Sequence, residues 1–158
     1  MPFRSTIIAL LDSGTTVLAD RYAFSGVAFS ASKVTSSALS YEWCRNPEIG
    51  LPAPDLTMFL DIAPEKARER GGYGEERYEK EEVQRRVRGV FERIGREMLA
   101  GGAGETAGSE RTRWVKVDAG EQKDAVHDII WGLLDPLIHG VEEPLKRLWE
   151  EHLPQPTN

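Results

Sequence analysis

The sequence is poor in the residues that form disulfides and metal sites. Cys44 is the only cysteine, so no disulfide can form within the chain, and a single thiol suits a reducing compartment. The three histidines, His127, His139 and His152, lack the spacing of a metal site. We therefore expect no structural zinc site and no metal ligated by protein side chains.

Long apolar runs and an excess of positive charge are also absent. The longest uninterrupted apolar run, Ile7–Leu11, is far shorter than the roughly 20 residues of a membrane span, and Met1–Arg4 does not open a signal peptide. Acidic residues outnumber basic ones by 26 to 20, and the resulting net charge of -6 disfavours binding to nucleic acid or anionic membranes. We expect a protein of the cytoplasm or nucleus with no nucleic-acid or membrane partner.

What is present is the composition of a folded domain. The chain has 158 residues, of which 40% are hydrophobic and 29% charged. A chain of this length buries roughly 68–70% of its unfolded surface. We expect one domain over residues 1–153, with a flexible glycine-rich loop at 101–113 and a tail at 154–158.

Three short apolar runs predict buried parallel strands. They are Thr15–Ala19, Leu56–Leu60 and Trp114–Val117, and an aspartate follows each of them. Helices are predicted around Ile7–Leu11, from Pro64 to Gly71-Gly72, at about 76–99 and at about 125–138, the last with an apolar face toward the core. The alternation predicts an α/β fold with a parallel sheet, in which ligands bind beyond the carboxyl ends of the strands.

The first candidate site, Asp20–Phe29, directly follows the first predicted strand. The planar guanidinium of Arg21 is suited to hold a phosphate, and Asp20 could position it or reach a metal-bound water. The alternative is a salt bridge that ties the strand to the next helix. Spacing alone does not decide between these interpretations.

Two further segments carry candidate chemistry. Residues Arg68–Glu79 combine glycines with flanking arginines, a pattern that fits a mobile flap closing over an anionic ligand. By composition alone, however, this segment is better interpreted as a turn between two helices. Asp118–Glu121 follows the third predicted strand, and its alternative role is to cap the following helix.

Taken in order, three motifs resemble those of eukaryotic thymidylate kinases. They are DRYAFSGVAF at Asp20–Phe29, GLPAPDL at Gly50–Leu56 and RGGYGEERYE at Arg70–Glu79. The first is highly specific, whereas Val117–Ala119 adds only weak support, and the resemblance runs from about Ile7 to Trp149. It implies a P-loop kinase-like, three-layer α/β/α fold and transfer of the terminal phosphoryl group of ATP to dTMP, with magnesium, to give dTDP.

The resemblance also implies roles for individual residues and a partner. Arg21 would hold the dTMP phosphate while Asp20 organises the phosphate and magnesium region, and Arg70 would complete the catalytic set. The dTMP pocket would include Ser25, Gly26, Phe29 and, near the deoxyribose, Tyr78. The ATP-binding residues would be Arg70, Gly71 and Gly72 of the lid and Asp118, Ala119 and Gly120 beside adenine. Because the family is commonly dimeric, a homodimer is expected.

The sequence departs from the family in one large respect. It contains no G-x-x-x-x-G-K-[ST] motif and no Gly-Lys pair. The family's first strand and P-loop are therefore expected to be absent, which would leave Thr15–Ala19 and Leu56–Leu60 without their shared neighbour. The sheet would then be incomplete, and we expect little kinase activity from this chain alone.

Two interpretations of that departure compete. The chain is either an incomplete product of a kinase gene whose upstream part encodes the P-loop, or a shortened protein. A shortened protein would be a non-catalytic nucleotide-binding remnant or an interaction protein. Another nucleoside monophosphate kinase is a further alternative, because a fold does not fix its substrate.

Overall fold

The computed structural model describes residues 2–34, 39–69, 81–100 and 113–150. The helices are α1 (Pro2–Asp12), α2 (Ala23–Ala31), α3 (Tyr41–Arg45), α4 (Pro64–Glu69), α5 (Glu81–Ala100) and α6 (Lys123–Ile138); the strands are β1 (Leu56–Asp61) and β2 (Arg113–Asp118), and Asn46–Glu48 form a 3₁₀ turn. In this part of the chain, no helix combines the length and hydrophobicity needed to cross a membrane.

The two strands form a parallel pair, as the sequence predicts. The register places Leu56 beside Arg113 and Asp61 beside Asp118. The aspartates that end the strands therefore lie together at the carboxyl edge of the sheet. Helix α5 packs on this sheet, with the rings of Phe59 and Phe91 stacked 4.7 Å apart. The α/β class with a parallel sheet is confirmed.

The core lies where α2, α3 and α5 meet the C-terminal part of the described chain. Phe24 is at its centre and makes edge-to-face contacts with Trp114 and Trp149, at centroid distances of 5.4 and 5.8 Å. The buried hydrophobic residues are Ala23, Phe24, Val27, Ala28, Tyr41, Cys44, Leu51, Ala53, Val87, Ile94, Met98, Leu148 and Trp149. The predicted apolar stripe of α5 supplies three of them and faces this core.

A short segment near the end of the described chain is held to the loop before β1. We call Lys146–Trp149 the C-terminal strap and Gly50–Ala53 the strap-binding loop. Their backbones exchange three hydrogen bonds of 2.8–2.9 Å, and one isolated antiparallel bridge joins Pro52 to Arg147. The strap therefore closes over the loop much as an added strand would.

The first predicted strand is wrong. Residues Thr15–Ala19 belong to no helix and to no sheet among the described residues, and Leu18 is 86% exposed. A strand is stabilised by hydrogen bonds to a neighbour, and no described segment pairs with this one. Arg21 therefore does not lie at the end of a buried strand.

The prediction that α6 turns an apolar face to a core is confirmed only in part. Five residues of that face are half-buried, namely Val126, Ile130, Leu133, Leu134 and Leu137, but none is fully buried and Ile129 remains 45% exposed. The helix contacts β2, but the described residues supply no second layer that would cover its stripe. Periodicity predicted the helix correctly, whereas burial depends on a partner surface.

Of the remaining predicted boundaries, one is confirmed, one is shifted by one residue, and others cannot be compared with the structure. The first helix is confirmed and ends before Gly14, whose φ of 76° suits a residue without a side chain. The predicted loop 101–113 is one residue too long, because Arg113 already begins β2. The rest of that loop, residues 70–79 of the predicted flap and the tail 154–158 lie outside the described residues.

Candidate functional site

Arg21 adopts a backbone conformation that is rare for a residue with a side chain. Its φ is 55°, in the left-handed region, which costs about 1–3 kcal/mol and persists only when the surrounding structure enforces it. Such residues are concentrated at binding and catalytic sites. The Arg21 side chain is exposed, and within the described ranges its guanidinium forms no ion pair or hydrogen bond. The alternative salt bridge with Asp20 is therefore not formed.

We call Asp20–Tyr22 the Arg21 turn, and helix α2 begins directly after it. Tyr22 is its N-cap residue, but no side chain there accepts a hydrogen bond from the first turn of the helix. Free N–H groups and the helix dipole make such an end attractive to anions. Helix α2 was not predicted, although the spacing of Phe24, Val27 and Ala28 is compatible with one buried helical face. The Arg21 guanidinium and the start of α2 thus place two positive features side by side.

The other predicted dTMP residues within the described chain lie on α2. Ser25 and Phe29 are half-buried and one turn apart, whereas Gly26 is exposed. A Cβ added to Gly26 would meet no atom within 4 Å. The backbone at Gly26 therefore borders open space that a ligand could approach closely. Tyr78, which was assigned to the same pocket, lies outside the described residues.

The predicted adenine segment forms a tight turn at the carboxyl edge of the sheet. The Asp118 carboxylate accepts a hydrogen bond of 2.7 Å from the Gly120 N–H, and Ala119 N–H donates to the Asp61 carbonyl at 2.8 Å. The alternative role of Asp118 as a helix cap is wrong, because Gln122 is the N-cap residue of α6. Asp118 instead stabilises its own turn.

This turn packs against α4, the helix that leads to the predicted lid. A Cβ on Gly120 would lie 2.6 Å from Cδ of Lys66, and Lys66 also approaches Glu121 at 3.6 Å. The lid residues Arg70, Gly71 and Gly72 follow α4 in sequence but lie outside the described residues. Asp118–Gly120 thus contact Asp61 and α4. The Arg21 turn instead adjoins α2 and is hydrogen-bonded to the strap-binding loop through Tyr22.

A charged cluster at the same edge was not predicted. The Asp61 carboxylate, only 9% exposed, accepts a hydrogen bond of 2.5 Å from Arg88 and forms an ion pair with Lys116 at 2.8 Å. Lys116 also approaches Glu92 at 3.7 Å. A cavity of about 370 Å³ is lined by Asp61, Ala63, Arg88, Lys116 and Asp118. The sequence indicates only that Asp61 follows a strand. The cations of the cluster, Arg88 and Lys116, come from α5 and β2, which are distant in sequence, so the sequence does not predict that they meet.

The described residues do not form a magnesium site of their own. No group of three or more histidines, cysteines, aspartates or glutamates within them could hold a metal ion. The Arg21 turn contains a single carboxylate, Asp20, whereas magnesium favours several oxygen ligands. We therefore assign no catalytic step to a protein-bound metal.

Comparison with known proteins decides the family. Residues 2–130 match the sequence model of the family described as thymidylate kinase. The chain belongs to the thymidylate kinase family. The thymidylate kinase of Arabidopsis thaliana is 52% identical over 92 residues, which are 58% of this chain and 34% of the relative. That of Schizosaccharomyces pombe is 42% identical over 124 residues, 78% of this chain and 53% of the relative.

A solved structure supports the same assignment. The thymidylate kinase of Candida albicans superposes with a TM-score of 0.70 at 26% sequence identity, covering 93% of this chain and 67% of that one. The P-loop kinase-like fold class and the family resemblance are confirmed. The chain spans 34% and 53% of the two curated relatives.

Proposed function

We propose that this chain forms the dTMP-binding part of a thymidylate kinase, which transfers the terminal phosphoryl group of magnesium-bound ATP to dTMP and yields dTDP. Family membership supports the reaction class. The observation that carries the proposal is the Arg21 turn, where a strained backbone presents an exposed guanidinium beside the start of α2.

The geometry of this turn is suited to a phosphate monoester. Arg21 can offer two parallel N–H donors to two phosphate oxygens, and the dipole of α2 adds a favourable field. Phosphoryl transfer depends mainly on positioning and charge stabilisation, and a guanidinium that holds the phosphate supplies both. Ser25 adds a hydroxyl, Gly26 permits close approach of the backbone, and Phe29 supplies an aromatic wall.

The residues for the ATP side are assigned from the family resemblance. We assign Asp118–Gly120 to the adenine end and Arg70–Gly72 to the lid over the phosphates. The packing of the Asp118–Gly120 turn against Lys66 supports this grouping, because Arg70–Gly72 directly follow α4 in sequence. Magnesium would neutralise the phosphates when ATP is bound, with the phosphates themselves supplying oxygen ligands.

Turnover by this polypeptide alone is expected to be very low. Its sequence offers no Gly-Lys pair, so it lacks the lysine and glycine-rich backbone that hold the β- and γ-phosphates in P-loop enzymes. A coupled assay with dTMP, ATP and magnesium measures ADP release. Rates typical of kinases, about 1–100 s⁻¹, would contradict this expectation.

The dTMP site can be tested by binding, without turnover. Calorimetry and ligand-observed NMR on the 158-residue chain compare dTMP with thymidine, which lacks the phosphate. Arg21→Ala should weaken dTMP binding by about 10- to 100-fold, which corresponds to the loss of hydrogen bonds to a charged group. Thymidine binding should stay unchanged. Arg21→Lys should recover only part of the loss, because an ammonium lacks the planar fork.

A matched control separates this effect from a general loss of positive charge. Arg85 is an exposed arginine on α5 that pairs with Glu81 at 2.9 Å, so Arg85→Ala removes the same charge elsewhere. The control should bind dTMP as the wild type does. Equal weakening by both variants, or no preference of the wild type for dTMP over thymidine, would refute the assignment. The homodimer and the location in cytoplasm or nucleus remain predictions.

A further inference from the structure

The Arg21 turn is tied to the rest of the molecule through Tyr22. The Tyr22 hydroxyl donates a hydrogen bond of 3.1 Å to the Pro52 carbonyl, which belongs to the strap-binding loop. The Tyr22 ring is half-buried and packs edge-to-face against Phe24, with centroids 6.4 Å apart. Tyr22 therefore links the strained residue before it to a loop 30 positions away.

That loop is in turn held by the C-terminal strap. Gly50 and Ala53 donate to the Leu148 and Lys146 carbonyls, and Leu148 donates back to Leu51. These three backbone bonds enclose Pro52, so the acceptor of the Tyr22 hydroxyl is fixed in place. A carbonyl in a free loop would not provide such an anchor.

The strap also contacts α2 directly and is itself strained. Trp149 has a φ of 52° and, with Arg21, is one of two non-glycine residues of positive φ in the described chain. Its indole N–H donates to Glu97 at 3.1 Å and its ring packs against Phe24. The contacts form a closed circuit from Arg21 through Tyr22, the loop and the strap, and back to α2. Both strained residues lie on this circuit, which is the kind of surrounding structure that such strain requires.

We propose that Tyr22 is a positioning residue for Arg21: its hydroxyl, anchored on the strap-held Pro52 carbonyl, fixes the turn that presents the guanidinium to a nucleoside monophosphate. The inference rests on the proposed dTMP site and adds to it a residue that need not touch the ligand. Removing the hydroxyl frees the turn, so Arg21 spends less time in the binding geometry. Affinity for the phosphate falls, whereas contacts with the nucleoside are unaffected.

The test is a double-mutant cycle read by ligand binding. Tyr22→Phe removes the hydroxyl and keeps the ring. It should weaken dTMP binding by about 3- to 10-fold, the loss equivalent to one hydrogen bond of ordinary strength, and leave thymidine binding unchanged. In the Arg21→Ala background, the same change should have no further effect on dTMP binding.

Tyr41 provides a matched control. Its hydroxyl donates to Glu97 at 2.6 Å, the carboxylate that also accepts from Trp149 of the strap. Tyr41→Phe therefore removes one half-buried hydrogen bond next to the strap and leaves the Tyr22–Pro52 hydrogen bond in place. Both tyrosine variants should lower the unfolding temperature, but only Tyr22→Phe should alter dTMP binding. The proposal is overturned if Tyr22→Phe leaves dTMP affinity unchanged, weakens thymidine equally, or acts as strongly when Arg21 is absent.

Failure of the positioning role can be told apart from failure of the site. If wild-type chain prefers dTMP to thymidine and Arg21→Ala abolishes that preference, the dTMP site stands whatever Tyr22→Phe does. If Arg21→Ala has no effect, the site itself is wrong, and the positioning role falls with it.

Discussion

Replacement of Gly26 by alanine should change stability and ligand binding in opposite directions. Gly26 lies inside α2, is exposed, and has no atom within 4 Å of the position that a Cβ would occupy. Alanine favours a helix interior over glycine by about 0.5–1 kcal/mol, because it loses less backbone entropy on folding. Without a ligand, Gly26→Ala should therefore stabilise the chain.

The size of the effect follows from that difference. For a chain of 150–250 residues, 1 kcal/mol shifts the unfolding temperature by roughly 2–4 °C, so an increase of about 1–4 °C is expected. A ligand that approaches the backbone at Gly26 would meet the new methyl group. An overpacking cost of about 1–3 kcal/mol predicts roughly 5- to 100-fold weaker dTMP binding.

Two other glycines are suitable controls. Gly89 in α5 and Gly132 in α6 are also exposed in helices, and a Cβ at either would meet nothing within 4 Å. Gly89→Ala and Gly132→Ala should raise the unfolding temperature similarly and leave dTMP binding unchanged. Calorimetric unfolding and dTMP titration of all three variants complete the assay. A stabilised Gly26→Ala chain that binds dTMP with undiminished affinity would refute the placement of the ligand beside α2.

Three further predictions concern stability. Gly95→Ala should lower the free energy of unfolding by about 1–3 kcal/mol in chemical denaturation, because its Cβ would lie 2.6 Å from the Trp114 indole nitrogen; an unchanged midpoint would contradict that packing. Burial, and then the hydrogen bond to Glu97, raise the pKa of Tyr41 above its usual value near 10. The stabilisation that the neutral Tyr41 hydroxyl contributes is therefore complete below about pH 10 and is lost as the pH rises toward the pKa of the folded state. In Tyr41→Phe the unfolding temperature should fall less steeply at alkaline pH than in the wild type. An identical fall in both proteins would refute this. Asp61→Asn should lower the free energy of unfolding, measured in urea, by about 1–2 kcal/mol. The loss is smaller than for a fully buried ion pair because Arg88 and Lys116 are partly exposed, and an unchanged free energy would contradict the pairing.

The elements that could be predicted from sequence are those whose signals are local. The apolar runs of β1 and β2 end in aspartates and pair as expected, and the stripe of α5 faces the core. Thr15–Ala19 has an equally strand-like sequence but no neighbour among the described residues. Local composition indicates a tendency to extend, whereas a strand also requires a partner for its backbone groups.

The candidate site shows the same division. The motif around Arg21 could be recognised in the sequence, but its left-handed turn, the start of α2 and the anchoring role of Tyr22 could not. Helix α2 is only nine residues long, contains a glycine and has no capping side chain, so its local signal is weak. The strap is linked to Tyr22 through Pro52 and through Phe24, and contacts across such sequence separations leave no local pattern.

The position of the dTMP site can be measured most directly by titrating dTMP into the ¹⁵N-labelled chain and following its backbone amide signals. The largest shifts should occur between Arg21 and Phe29, with smaller shifts when thymidine replaces dTMP. Largest shifts around the cavity lined by Asp61, Arg88 and Lys116, with residues 21–29 unchanged, would contradict the assignment of the dTMP phosphate to Arg21.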